Sequence, residues 1–204
     1  IAQFEKAIEL DPGNFQGHFL LASVLAPAAR SYDAIEAYRK VLELRPKHPG
    51  AWLGLGHMLK TVGRQDEAIE AYRECIRLKP GNGEIYWSLA NLKTYRLSDL
   101  DIEEIEAQLQ PEPAADDPDT QSRVNFQFAL AKAWEDRGDF ERAWRWYEEG
   151  NSTQRMEENY DPVRTEVLND AIIQVFDREL LESRAGQGHP SAEPIFIVGL
   201  PRSG

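Results

Sequence analysis

The ten residues from Ile195 to Gly204 have the composition of a phosphate-binding loop that follows a strand. Four apolar residues, Ile195 to Val198, predict a buried strand, and the turn from Gly199 to Gly204 carries one cation, Arg202. Backbone N–H groups in such a turn bind phosphate oxygens, and a positive charge beside them adds to the attraction. The segment therefore predicts a site for a phosphate-bearing ligand.

Gly199 and Gly204 also satisfy the first six positions of the nucleoside-triphosphate loop, G-x-x-x-x-G. The two residues that distinguish one loop type from another would come after Gly204, so triphosphate binding stays open at this point. Because the expected helix would also follow Gly204, we interpret the chain as a fragment of a longer protein.

Most of the chain before this segment repeats with a period of 34 residues. Eight positions recur in two consecutive units, as the pairs His18/Trp52, Leu21/Leu55, Ala22/Gly56, Leu25/Leu59, Ala34/Ala68, Tyr38/Tyr72, Val41/Cys75 and Pro46/Pro80. The period and these residue types resemble those of tetratricopeptide repeats, in which each unit is a pair of antiparallel helices. The resemblance implies an all-α superhelix of stacked helix pairs.

The spacing has a physical cause. Positions within a unit are numbered so that His18 and Trp52 are position 4. Positions 4, 7, 8 and 11 form one face of the first helix of each unit, and small residues at positions 8 and 20 let the two helices approach closely. A proline at position 32 ends the second helix. We therefore expect helix pairs at residues 15–26 with 31–44, 49–62 with 65–78, and 83–95 with 100–109.

The composition fits a helical protein that does not bind nucleic acid. The chain has 204 residues, 42% of them hydrophobic, and a formal net charge of −12, whereas a nucleic-acid surface should be basic. The one cysteine, Cys75, occupies a core position of the repeat, which suits a reducing compartment, and we expect a cytoplasmic protein. The four histidines show no ligand spacing, so no metal is assigned.

The regular repeat stops after Arg96. Residues 97–120 are rich in Asp and Glu without Lys or Arg, which we interpret as a solvated helix face and a loop rather than a metal site. A divergent repeat follows, with Leu130, Ala131 and Trp134 at positions 7, 8 and 11. The expected organisation is repeats over 1–96, a divergent helical region over 97–182, a linker over 183–194, and the start of an α/β domain over 195–204.

Stacked repeats expose the first helix of each pair on a concave face. In the tetratricopeptide family, positions 2, 5, 9, 12 and 13 face that groove. Transferred to this chain, they give a candidate groove set for a peptide or protein partner: Phe19, Leu53, His57, Lys60, Trp87, Asn91 and Tyr95. The alternative is that Trp87 packs against the next helix and the groove is only a surface.

The order of segments resembles a bacterial family in which tetratricopeptide repeats precede a sulfotransferase domain. Asn91 to Arg96 (Asn-Leu-Lys-Thr-Tyr-Arg) resembles the end of that family's repeat array, and Gly138 to Ala143 resembles its divergent repeat. Pro194 to Gly204 (Pro-Ile-Phe-Ile-Val-Gly-Leu-Pro-Arg-Ser-Gly) resembles the strand and 5′-phosphosulfate loop that open its catalytic domain. The resemblance covers essentially the whole chain.

This resemblance implies sulfuryl transfer from 3′-phosphoadenosine-5′-phosphosulfate to an acceptor hydroxyl, and we expect the acceptor to be a protein held by the groove. Pro201, Arg202, Ser203 and Gly204 would surround the 5′-phosphate, and Arg202 would stabilise the departing phosphate oxygen. The fragment itself would be catalytically incomplete. Two alternatives stay open: the same scaffold joined to a triphosphate-binding domain, and a scaffold for protein interaction only.

Overall fold

The computed structural model of the chain describes residues 1–110, 119–157 and 161–187, and all regular structure in these residues is α-helical. The helices are α1 (Ala2–Leu10), α2 (Phe15–Leu25), α3 (Ser31–Leu44), α4 (Pro49–Thr61), α5 (Gln65–Leu78), α6 (Gly83–Ala90), α7 (Asp99–Leu109), α8 (Thr120–Asp136), α9 (Phe140–Glu157), α10 (Pro162–Val175) and α11 (Arg178–Ser183). The chain divides into two compact units, residues 1–158 and 159–204. The domain boundaries expected after residues 96, 182 and 194 stay predictions.

The first two predicted helix pairs are confirmed. Helix α2 packs closely against α3, and α4 packs closely against α5. The first helices begin at polar caps: the Asn14 side chain accepts hydrogen bonds from the N–H groups of Gln16 and Gly17, and His48 Nδ1 accepts one from Ala51 N–H at 3.0 Å. These caps fix where each unit begins, as the 34-residue period requires.

Small residues determine how closely the helices approach one another. A Cβ atom at Gly56 would lie 2.6 Å from the ring of Tyr72 on α5, so the glycine predicted at this contact is needed there. A second contact was not foreseen: a Cβ at Gly54 would lie 2.3 Å from the ring of Tyr38 on α3. Helix α4 is therefore fitted between two tyrosine rings, one from each neighbouring second helix.

The third predicted pair is wrong in its partner and in its length. Helix α6 ends at Ala90 rather than Tyr95, and its close neighbour is α8 rather than α7. The Gly83 N–H donates to Ser122 Oγ at 2.7 Å, and a Cβ at Gly83 would lie 2.1 Å from the Ser122 carbonyl oxygen. Since only glycine permits this approach, the start of α6 is held against α8 by a contact that the repeat pattern does not contain.

Helix α7 is fixed by a buried carboxylate, Asp101. It receives the guanidinium of Arg73 from α5 through both carboxylate oxygens, with Arg73 Nη2 at 2.7 Å from Oδ2. The same carboxylate accepts hydrogen bonds from the backbone and hydroxyl of Ser98 at 2.8 and 2.7 Å, which caps α7. Burial raises the pKa of Asp101, but the hydrogen bonds from Arg73 and Ser98 outweigh it and hold the pKa below its ordinary value.

The second unit contains α10 and α11, which are capped by Asp161 and Asp177. Helix α10 carries exposed apolar side chains, among them Val163, Val167 and Ile172. The strand predicted over Ile195–Val198 and the loop that follows it lie outside the described residues. None of the described helices combines the length and the apolar character needed to cross a bilayer.

Replacing Gly56 by alanine should lower the free energy of unfolding by about 1–3 kcal/mol, because the new methyl group collides with the buried ring of Tyr72. Thermal or urea unfolding followed by circular dichroism measures the change. Gly50→Ala is the matched control, since its Cβ would lie 3.4 Å from its nearest neighbours and needs little adjustment. Equal stability of the two variants would contradict the proposed contact.

Asp101→Asn should lower the free energy of unfolding by about 1–3 kcal/mol. This is less than the loss of a fully buried ion pair would cost, because Arg73 is partly exposed to solvent. The native pKa of Asp101 lies below the unfolded value of about 3.9, so its stabilisation is complete above that pH and is lost as the pH falls through the native pKa. The difference between wild type and variant should therefore shrink below about pH 4. The exposed Glu103→Gln on the same helix is the control, and a pH-independent difference would refute the assignment.

Candidate peptide-binding groove

Three of the predicted groove residues, Phe19, His57 and Trp87, each contact the next first helix of the array, and we call these residues with Phe128 the row. Phe19 on α2 packs against the His48 ring, with centroids 4.8 Å apart, and lies beside Gly50 at the start of α4. His57 on α4 reaches Glu84 on α6, and Trp87 on α6 packs against Phe128 on α8. Leu53 on α4 is half-buried and packs against the core.

His57 is the most constrained polar group of the row. Its Nδ1 lies 2.9 Å from the Tyr72 hydroxyl, and its Nε2 lies 3.3 Å from Glu84 Oε1. Burial lowers the pKa of His57, and this effect exceeds the opposing influence of the Glu84 carboxylate; the Lys60 ammonium lowers the pKa further. A neutral imidazole between a phenol and a carboxylate holds Glu84 in place at the edge of the groove.

Lys60 and Asn91 supply the other predicted polar groups. Lys60 is half-buried near the end of α4, and burial lowers the pKa of its ammonium. No carboxylate pairs with Lys60 in the described part of the chain, so its ammonium is available to bind an anionic group of a ligand. Asn91 ends α6 with an exposed side chain, and its backbone N–H donates to the Trp87 carbonyl at 3.0 Å.

Aromatic rings form the end of the row at α8 and α9. The Trp87 and Phe128 centroids are 5.6 Å apart, and those of Phe128 and Tyr147 are 6.3 Å apart. Trp87 thus packs against the next first helix, as the alternative interpretation expected. It is nevertheless only half-buried, so part of the indole stays accessible to a ligand.

Tyr95 does not lie with the first-helix row. It follows α6, and its hydroxyl accepts a hydrogen bond from Arg73 on the second helix α5, with the guanidinium 5.3 Å from the centre of its ring. The correction has a local cause: α6 ends at Ala90, so the helical register that predicted Tyr95 for the groove no longer applies. Tyr95 belongs to the cluster that fixes α7.

Sequence reasoning missed the part of the row on α8. Leu130 was assigned to position 7, and the same register places Phe128 at position 5, Lys132 at position 9 and Asp136 at position 13. Lys132 and Arg96 both pair with the Asp136 carboxylate. The signal was present, and extending the position count into the divergent unit would have found these residues.

Comparison with known families agrees with this geometry. Residues 28–83 match the tetratricopeptide repeat family model. An uncharacterized protein of Aquifex aeolicus (strain VF5) is 34% identical over 113 residues, which cover 55% of this chain and 14% of the relative's length. The matched region is thus a small part of that larger protein.

Solved structures share the fold at low sequence identity. The crystal structure of MamA is 19% identical and covers 77% of this chain and 88% of its own, with a TM-score of 0.59. MamA 41-end from Desulfovibrio magneticus RS-1 is 15% identical over 76% of this chain and 84% of its own, with a TM-score of 0.57. BtubC (BKLC) from P. vanneervenii is 16% identical over 72% of this chain and 66% of its own, with a TM-score of 0.54.

The residues predicted to bind the sulfate donor, Pro201, Arg202, Ser203 and Gly204, lie outside the described residues. Their roles stay predictions. Among the residues that the structure does describe, no group of three or more His, Cys, Asp or Glu side chains could hold a metal ion.

The surroundings of His57 predict two opposite changes of its pKa. Glu84→Gln should lower the pKa of His57, because the carboxylate raises it, and Lys60→Gln should raise it, because the ammonium lowers it. Titration of the imidazole Cε1–H signal by NMR measures both shifts. Glu103→Gln, on an exposed turn of α7, should leave the value unchanged. A wild-type pKa above the ordinary value of about 6.5 would contradict the burial of this ring.

Proposed function

We propose that the chain is a protein-interaction module that binds an extended peptide segment of a partner in the groove formed by its first helices. The observation that carries the proposal is the row from Phe19 through His57 and Trp87 to Phe128, in which each of the first three residues contacts the next first helix. Tetratricopeptide repeats present such a concave surface along the whole array.

The row has the chemistry that an extended peptide requires. A peptide backbone needs hydrogen-bond partners, which Asn91 and Glu84 provide, and its side chains need apolar surface, which Leu53 and the rings of Trp87 and Phe128 provide. Lys60 adds a half-buried cation without a carboxylate partner in the described chain. A ligand with one large apolar side chain near one acidic group uses all of these features.

Peptides selected from a random phage-displayed library against the 204-residue chain test this proposal. Trp87→Ala should weaken the binding of a selected peptide by about ten-fold or more, as truncation of an aromatic hot spot does. Isothermal titration calorimetry measures the affinity, and Trp87→Phe should restore most of it. The matched control is Trp144→Ala on the exposed face of α9. Unchanged affinity in a folded Trp87→Ala variant would refute the groove as the binding site.

A second candidate extends this function to a sulfotransferase, in which the groove holds the acceptor protein. Its support is the sequence of residues 194–204, whose strand and Pro-Arg-Ser-Gly turn resemble a 5′-phosphosulfate loop. In this proposal Arg202 stabilises the departing phosphate oxygen of 3′-phosphoadenosine-5′-phosphosulfate. A triphosphate-binding domain remains the alternative for the same segment, and the two residues after Gly204 distinguish them.

The sulfotransferase proposal is tested in a protein that continues beyond Gly204. Arg202→Ala should lower turnover of the sulfate donor by about 10²–10³, the usual loss for one preorganised donor, while the melting temperature stays unchanged. Transfer of radiolabelled sulfate to a protein acceptor measures turnover. Absence of transfer by the wild-type protein, together with ATP binding, would support the triphosphate alternative instead.

A further inference from the structure

Two grooves between consecutive second helices have the same construction one repeat apart. The first has a volume of about 600 Å³ and lies between α1 and α3, above α2. The second has a volume of about 430 Å³ and lies between α3 and α5, above α4. All nine residues that line the second groove are the counterparts, 34 residues later, of residues that line the first. We call this pair the outer grooves.

The floors of the outer grooves are apolar or aromatic. They consist of positions 4, 7 and 11 of the first helices, namely His18, Leu21 and Leu25 in the first groove and Trp52, Leu55 and Leu59 in the second. The Trp52 indole N–H donates to the Pro46 carbonyl at 2.8 Å, which fixes the orientation of that ring. These positions lie on the opposite side of the first helices from positions 5 and 9, so the outer grooves are separate from the peptide-binding row.

The walls of both outer grooves carry carboxylates at three corresponding positions: Glu9 and Glu43, Asp33 and Glu67, Glu36 and Glu70. The cations on the walls are already paired. Arg39 binds Glu36 at 3.0 Å and Glu67 at 3.1 Å, and Lys40 binds Glu43 at 2.7 Å.

Three of the wall carboxylates have no internal cation. Glu5, Glu9 and Glu70 have no ion-pair partner within the part of the chain that the structure describes. The first groove therefore offers two free carboxylates beside its apolar floor, and the second groove offers one.

The pattern changes at the third unit. The pair of Arg73 and Asp101 repeats that of Arg39 and Glu67, but the position that corresponds to Glu43 holds the cation Arg77. The floor residue there is Tyr86, which is fully buried with its hydroxyl donating to Glu104 at 2.9 Å. The construction shared by the outer grooves therefore does not continue into the third unit.

The geometry points to the outer grooves as a second docking surface, for a basic amphipathic segment of a partner protein that lies across both of them. Its apolar side chains cover the two floors, and its Lys or Arg side chains meet Glu9 and Glu70. Charge complementarity selects this partner: carboxylate walls repel nucleic acid and anionic membrane surfaces, and they attract a cationic peptide. The surface is independent of the proposed peptide-binding groove.

A labelled peptide of Leu-Leu-Lys-Lys repeats is the probe, and a peptide with Glu in place of Lys is its matched control. At about 150 mM salt, where distant charges are screened, the Lys peptide should bind the 204-residue chain and the Glu peptide should not. Glu9→Lys with Glu70→Lys should weaken binding of the Lys peptide by about ten-fold or more. Glu103→Lys with Glu149→Lys changes the net charge equally on exposed positions elsewhere and should change the affinity by less than about two-fold.

The indole N–H signals of the five tryptophans give a second readout by NMR. Addition of the Lys peptide should shift the Trp52 signal and leave that of Trp87 in place. Equal weakening by both double variants would show attraction to net charge alone, and a shift of Trp87 without Trp52 would place the peptide in the other groove. Either result, or no preference for the Lys peptide, overturns the proposal.

Discussion

Several of the closest helix contacts in this array occur where one of the two partners has no side chain. Gly56 meets the ring of Tyr72, and Gly83 meets the backbone of Ser122, at separations that exclude even a methyl group. These contacts determine the distances between helices and therefore what the neighbouring residues can reach. His57, next to Gly56, reaches the Tyr72 hydroxyl because α4 and α5 are this close, and its other ring nitrogen faces Glu84 on α6.

The parts of the fold that could be predicted are those that short-range packing dictates. Two units with matching residues at eight positions gave two correct helix pairs, because each position has one packing role within its own pair. The third pair failed because the bond from Gly83 to Ser122 joins residues far apart in sequence, and no local pattern encodes it. Tyr95 fits the helical pattern, yet its hydroxyl accepts a hydrogen bond from Arg73, which also pairs with Asp101.

The candidate site was predicted in part for the same reason. Phe19, His57 and Trp87 occupy equivalent positions on equivalent helices, so the register alone placed them in one row. The same position count, extended into the divergent unit, would also have predicted Phe128. The outer grooves were not, because a cavity depends on the spacing of three helices rather than on the periodicity of one. Ligands in the two places would touch opposite sides of the same first helices, so one array can hold two partners at once.

The bond between Gly83 and Ser122 also bears on how such a chain can change in length. Repeat proteins grow by duplication of whole units, which succeeds when a unit contacts only its neighbours along the array. The two regular units, α2 with α3 and α4 with α5, meet that condition, so a gene could copy or delete one of them and leave a continuous stack. A breakpoint between Gly83 and Ser122 would separate two halves of one contact. Copying α2 with α3, or α4 with α5, would therefore keep contacts of the regular kind, whereas α6 and α8 keep their contact only when both are copied.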